Sequence, residues 1–459
     1  MTSTSPPTSL LIDGVEVTPD ATMPAYTPRD GSLLGHVPLA RLAPAARKAV
    51  LLRFAALVRE HTEELALAET LDTGKPIRES RQVDVPTCAD VLTWYAEAID
   101  KHYDLIAPTG PGALATITRR PLGVVAAVVP WNYPLIITAW KIAPALAVGN
   151  SVIVKPAEQS PSSALILARL AAEAGLPDGV FTVLSGDGPT TGAALGRHPG
   201  IDKIGFTGSV EVGRLFHRYS GESNGKAVAV EAGGKSAQVV LPDADLDAAA
   251  SAIAWGIFYN AGQTCHAGSR VVVDRSVHDE LVGRVVDLAK TFTVGDPLAE
   301  DTVLGAIVDR TQLDRVVGYL DLARDTVDVA FGGSVLEPVP GGTYVEPTVL
   351  DGVANDSRLA QEEIFGPVLS VVTADGPDEA VALANATRFE LAAAVWTRDV
   401  TTAHRVADAL RAGTVWVNTF DAASVTTPFG GGGDTGGGRD RSLAALDAYS
   451  APKTTWFAL

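Results

Sequence analysis

From Arg47 to Leu71 the apolar residues recur at helical spacing and charges fill the other face, a pattern that predicts an amphipathic helix or a pair of them. Trp94 to His102 (WYAEAIDKH) continues the helical rhythm. Proline and glycine then break it, and inside the break ALATITRR alternates as a short strand, suited to an arm or a linker. Beyond it the pattern changes to short apolar runs separated by single helices. Val124 to Val129 reads as a buried strand, SVIVKP precedes a helix from about Ser162 to Ala174, and VFTVLSG and KIGFTGS each precede another. Strands joined by single helices imply right-handed crossovers and a parallel sheet, hence a doubly wound, nucleotide-binding type of domain. A second α/β region follows from about Lys235 to Thr419, with helices expected around Ala248 to Tyr259, Asp279 to Lys290 and Thr402 to Ala412.

The longest apolar stretch, Pro121 to Trp140, imitates a membrane span, yet Pro130, Asn132 and Pro134 interrupt its centre. A strand running into a turn and then a helix is the better expectation. Length modifies the picture next, because 459 residues exceed one compact core and imply two or three domains. With 46% hydrophobic and 20% charged residues the composition is that of a soluble globular protein. A formal net charge of −18 repels phosphate backbones and anionic lipid, so neither nucleic acid nor a membrane is an expected partner. Two cysteines, Cys88 and Cys265, make no disulfide framework, and MTSTSPPTSLLIDG has no basic region before its apolar run; a reducing cytoplasm is expected, and no metal site.

Cys265 stands in FYNAGQTCHAGSR, a glycine-bracketed turn between apolar segments. Most free cysteines are small buried hydrophobes, but backbone N–H groups in such a turn also favour a thiolate. His266 is adjacent, and since sequence neighbours usually point apart, a Cys-His dyad is not expected. Glu231, in VEAGGKSAQVV, is a carboxylate delivered by an apolar strand to a Gly-Gly turn, either a solvated turn residue or a general base. Asn132, in VVPWNYPL, is either a helix cap or an oxyanion donor. The run GGGGDTGGG, Gly430 to Gly438, is glycine at seven of nine positions and reads by composition as a mobile loop.

PWNYP, VKPAEQSP, GFTGSVEVG, EAGGK, GQTC, EEIFGP and PFGG occur in this order across nearly the whole chain. In this the chain resembles the aldehyde dehydrogenase superfamily. The resemblance implies that Cys265 attacks the aldehyde, that Asn132 holds the oxyanion, and that Glu231 activates the water that hydrolyses the thioester. It implies cofactor contacts from Trp131, Lys155, Glu158, Gly188, Phe206, Gly208, Ser209, Glu363 and Phe365. Tyr133, Trp140, Tyr259 and Phe429 match positions around an aldehyde tunnel, and Lys141 and Asp440 a pair that passes protons. WYAEAIDK, GIFYNAGQTC and GRDRSLAALDAY are most similar to γ-glutamyl-γ-aminobutyraldehyde dehydrogenases of polyamine breakdown.

The implied architecture is a doubly wound cofactor domain (1–104 and 122–231), a second α/β catalytic domain (232–427) and a small β oligomerisation arm (105–121 and 440–459), assembled as a homodimer or homotetramer. The implied reaction is oxidation of an ω-amino or γ-glutamylamino aldehyde to the acid. NAD is the expected cofactor, because the Glu158 carboxylate would repel the extra phosphate of NADP without excluding it. The alternatives are another aliphatic or aromatic aldehyde, or a catalytically impaired cofactor-binding relative. A coenzyme-A-acylating enzyme would have no use for Glu231. The chain departs from the family pattern in three ways: a helix missing between HVPLA and APAARKAV, Val210 in place of a threonine after Ser209, and Gly432 and Gly433 in place of an aromatic and a lysine.

Overall fold

A computed structural model describes residues 10–12, 15–17 and 42–459. The missing helix after HVPLA and most of the first 41 positions of the expected cofactor domain lie outside the described residues. Five parallel strands form the body of the first sheet, in the spatial order Phe181–Val183, Ser151–Lys155, Val124–Val128, Lys203–Gly208 and Ala227–Ala232. Leu10–Ile12 and Val15–Val17 add an antiparallel edge that the sequence pattern did not announce. Val124–Val128 and Ser151–Lys155 are buried at every position, the physical reason that the first and the Val152–Val154 centre of the second read as unbroken apolar runs.

The Arg47–Leu71 pattern resolves into two helices, Pro44–Glu60 and Thr62–Thr73. The first packs with Val85–Ala98 and Pro134–Ala147 on one face of this sheet. Pro134 opens its helix at the first turn, where its missing N–H loses no bond. The second seven-stranded sheet is centred on Arg270–Asp274, Ala237–Val240 and Ala392–Trp396, all parallel, with Asp328–Phe331 antiparallel at one edge. Its helices Leu246–Phe258, His278–Ala289 and Val400–Ala409 match the expected ones to within three residues. ALATITRR lies within the strand Ala113–Pro121, which pairs along its length with Ser450–Ala458 and over three residues with Leu105–Ala107. Among the described residues no helix is long and apolar enough to cross a membrane.

The glycine run is not the mobile loop that its composition suggests. It is strapped across the end of strand Ala227–Ala232: Ala232 N donates to Thr435 O at 2.7 Å, Gly438 N to Val230 O at 2.9 Å, and Asp434 N to Arg388 O at 2.9 Å. Thr435 Oγ1 donates to Gly233 O at 3.0 Å, and Asp434 takes Arg214 at 2.8 Å. Glycine is used here for close backbone approach. A Cβ at Gly431 would lie 2.6 Å from Glu390 O and one at Gly436, whose φ is +93°, 2.3 Å from Val230 O. Gly437 faces open space. Gly436→Ala is therefore expected to destabilise by about 2 kcal/mol or more, read as a lowered denaturation midpoint, while Gly437→Ala changes it by less than about 0.5 kcal/mol.

Candidate active site

Cys265 is placed by a strained turn. After helix Leu246–Phe258 the backbone turns left-handed at Asn260 (φ 50°), Ala261 (φ 52°) and Gly262 (φ 69°). Only glycine fits the third position, since a Cβ there would stand 2.1 Å from Gly366 O. The facing loop is bent too, with Phe365 at φ 61°. Such strain persists only where the surroundings over-determine it, and here Gln263 is locked by its side chain accepting from Val308 N at 3.0 Å.

Asn132 is not a helix cap. Tyr133 occupies that place, and Asn132 Nδ2 donates to Gln263 O at 2.8 Å with one of its two amide hydrogens, while Asn132 and Cys265 line the same cavity. Tyr133 Oη shares a hydrogen bond of 2.8 Å with Thr264 Oγ1. The expectation for His266 is overturned: its Nδ1 lies 3.8 Å from Cys265 Sγ and its Nε2 2.7 Å from Asp421 Oδ1. The tight turn, with no helix or strand to splay successive side chains, brings the neighbours together.

Glu231, Lys141 and Asp440 form a buried charge cluster. Lys141 Nζ is 2.5 Å from Asp440 Oδ2 and 3.8 Å from Glu231 Oε2, and Asp440 N donates to Glu231 Oε1 at 2.9 Å. Burial, reinforced by the Asp440 carboxylate, holds Glu231 well above the ordinary carboxylate range. Burial opposes the charge on Lys141, but Asp440 and Glu231 outweigh it and keep the ammonium above its ordinary value.

Two cavities meet at the sulfur. One, of about 520 Å³, is lined by Trp131, Asn132, Gly208, Ser209, Glu363 and Phe365. The other, of about 490 Å³, is lined by Tyr133, Trp140, Tyr259 and Phe429, together with Trp255, Trp416, His266, Asp421 and Arg441. Cys265 is the residue common to both. In the first, Ser209 caps helix Val210–Gly221 by accepting from Val212 N at 3.3 Å, so free N–H groups of that helix end open on the cavity. Trp131 and Phe365 stand edge to face at 5.2 Å, and Glu363 Oε1 accepts from Gly234 N at 3.2 Å. Lys155, Glu158 and Gly188 do not line this cavity; Lys155 Nζ donates to Glu158 Oε1 at 3.2 Å, and Gly188 borders the same carboxylate. Phe206 packs on Phe216 in the core and does not line the cavity.

The aldehyde dehydrogenase family profile matches residues 35–455. This chain belongs to that family. It is an enzyme that oxidises an aldehyde with a nicotinamide dinucleotide, and its fold is the family's. An aminoacetaldehyde dehydrogenase of Pseudomonas aeruginosa is 49% identical over 416 residues, covering 90% of this chain and 83% of the relative. The crystal structure of a γ-glutamyl-γ-aminobutyraldehyde dehydrogenase from Burkholderia cenocepacia is 47% identical with a TM-score of 0.94, covering 100% of this chain and 98% of that one. An indole-3-acetaldehyde dehydrogenase solved with NAD+ is 46% identical with the same TM-score of 0.94, again covering 100% and 98%. The first cavity suits a dinucleotide on its own observations: a helix N-terminus for phosphates, a carboxylate for ribose hydroxyls, and an aromatic edge beside the sulfur.

Sequence reasoning passed over Asp421, Arg441, Trp255 and Trp416. Arg441 directly follows Asp440 in GRDRS; its guanidinium stands 5.0 Å from the Trp140 ring and 4.9 Å from that of Phe429. No spacing rule announces a residue brought in from such a distance along the chain. Burial raises Glu363 to about 7. A carboxyl so raised stays protonated in the folded protein while the unfolded chain ionises, so its contribution is intact below about 4.5 and lost as the pH climbs to 7. The stability of Glu363→Gln relative to wild type, measured without cofactor, is expected to rise from pH 4.5 to 7 and to stay level above.

Proposed function

We propose that the enzyme oxidises ω-amino or γ-glutamylamino aliphatic aldehydes to their acids, with Cys265 as nucleophile and Glu231 as base. The observation that carries this is the meeting of a dinucleotide-sized cavity and an aromatic cavity at one sulfur. Cys265 attacks the aldehyde carbon, and the free amide hydrogen of Asn132 and the Cys265 N–H stabilise the resulting oxyanion. The dinucleotide, when bound, accepts the hydride that leaves as the thiohemiacetal becomes a thioester. Glu231 then takes a proton from water to release the acid. Because Glu231 lines neither cavity and accepts from Asp440 N, its side chain turns toward Cys265 for this step, and Lys141 and Asp440 pass the proton outward.

The second cavity supports the substrate class. Its aromatic walls accommodate a methylene chain, the buried Tyr259 hydroxyl has no hydrogen-bond partner there, and Glu79 and Asp90, paired with Arg78 and Arg59, place carboxylate oxygens at the wall where an amine or amide could share them. A second reading, an aromatic aldehyde, draws on the same rings and on the indole-3-acetaldehyde neighbour. Values of kcat/KM for γ-aminobutyraldehyde, its γ-glutamyl and guanidino analogues, indole-3-acetaldehyde and benzaldehyde separate the two. The amino and γ-glutamylamino substrates should lead by tenfold or more; equal values or an aromatic lead would reject the proposal. Cys265→Ala should lose turnover by at least about a thousandfold. Glu231→Gln should release one equivalent of reduced cofactor and then stall, and wild-type turnover in that variant would dismiss Glu231 as the base.

NAD is proposed as the preferred cofactor. Glu158 is half exposed beside Lys155, so the phosphate of NADP would meet a partly screened carboxylate at a penalty of about 1–2 kcal/mol, roughly tenfold in affinity. Glu158→Ser should shift the kcat/KM ratio toward NADP; an unmoved ratio would show that this carboxylate does not select. We further propose that 1–104 with 122–231 and 232–427 act as cofactor and catalytic domains. The three-stranded sheet, with Leu105, Ile106, Trp456 and Phe457 exposed, is the proposed arm of a homodimer or homotetramer in the cytoplasm.

A further inference from the structure

The wall of the aldehyde cavity contains a row of polar atoms that the reaction described above leaves unused. Cys265 Sγ, His266 Nδ1, His266 Nε2 and Asp421 Oδ1 follow one another at 3.8 Å from sulfur to ring and 2.7 Å from ring to carboxylate. The ring is enclosed by aromatic neighbours, Phe429 at 5.5 Å, Trp416 at 6.0 Å and Phe420 at 6.4 Å between centroids, and its side chain is 15% exposed. Glu231, the other base of the site, is turned away onto Asp440 N. His266 Nδ1 is thus the basic atom positioned to take a proton from Cys265.

We propose that Cys265, His266 and Asp421 form a catalytic triad in which His266 takes the thiol proton and holds the sulfur as a thiolate before the aldehyde arrives. The S–H bond breaks, its proton forms an N–H bond at Nδ1, and the electron pair remains on sulfur. No oxidation accompanies this step. His266 Nε2–H donates to Asp421, which fixes the tautomer that leaves Nδ1 free to accept and balances the imidazolium once it forms. Sulfur then donates its pair to the carbonyl carbon, and the carbonyl π pair moves to oxygen.

The charges around the ring favour this state. Burial opposes the imidazolium, but Asp421 and the cysteine outweigh it and raise His266 to about 10. Across the same cavity Glu79 is paired with Arg78 at 3.3 Å and Asp90 with Arg59 at 2.5 Å, Arg441 adds positive charge, and the hydroxyls of Tyr133 and Tyr259, both pushed well above their ordinary value by burial, stay neutral, so Asp421 is the carboxylate that balances the ring.

The proposal rests on Cys265 being the nucleophile, and alkylation without substrate tests it separately. Cys88 is fully buried, with its thiol pushed up by burial, so iodoacetamide reports on Cys265. The full-length enzyme is treated with excess iodoacetamide between pH 5.5 and 9.5, and the rate is read by mass spectrometry of the Cys265 peptide. Wild type should react at pH 6 within about threefold of its rate at pH 8, whereas His266→Ala should fall more than tenfold over the same interval. Asp421→Asn should move the profile in the same direction by less. Coincident profiles for wild type and His266→Ala would overturn the triad. Should His266→Ala fail to bind NAD as a folded enzyme does, Asp421→Asn decides, and an unmoved profile there overturns it equally. Turnover that survives alkylation of Cys265 would instead reject the nucleophile assignment.

Discussion

The site depends on one contact between backbones. Gly262 lies so close to Gly366 that no side chain fits between them, and this contact joins the loop carrying Cys265 to the loop carrying Glu363 and Phe365. The left-handed run at Asn260 and Ala261 is held against its own preference by that packing and by the hydrogen bonds of Asn132, Asn260 and Gln263. Because the two loops cannot shift independently, the sulfur stays at the junction of two cavities. The orientation required for a reaction between two bound molecules is thereby set before either arrives.

Buried charge is the second constraint. Lys141, Glu231 and Asp440 share one pocket of low exposure, and an ionised member without partners would be costly there. The arrangement leaves Glu231 hard to ionise, so its carboxylate, once formed, is a stronger base than an exposed one. The glycine strap contributes directly, since it brings Asp440 N to Glu231 and closes over the end of strand Ala227–Ala232. Its many glycines are a condition of that closeness and not a sign of looseness.

Much of this was legible in the amino-acid order. Continuous apolar runs marked the buried parallel strands, helical periodicity marked the covering helices, and the ordered motifs pointed to Cys265, Glu231, Asn132 and the cofactor positions. Asp421 and Arg441 were not legible, because they approach the sulfur only through the turn after strand Thr414–Val417 and the segment after the strap. Composition misjudged the strap, since glycine content alone does not distinguish a backbone that is free from one that is crowded.

The sequence by itself determined the strand and helix pattern, the family and the kind of chemistry, because periodicity and motif are local properties of the chain. The direction of each side chain was decided only in three dimensions. Ordinary expectation sends His266 away from Cys265, and Glu231 toward it. The folded chain does the reverse, since a strained turn aims both Cys265 and His266 into one cavity while Asp440 N draws Glu231 aside. Those directions depend on partners contributed by distant segments, and no local pattern encodes them.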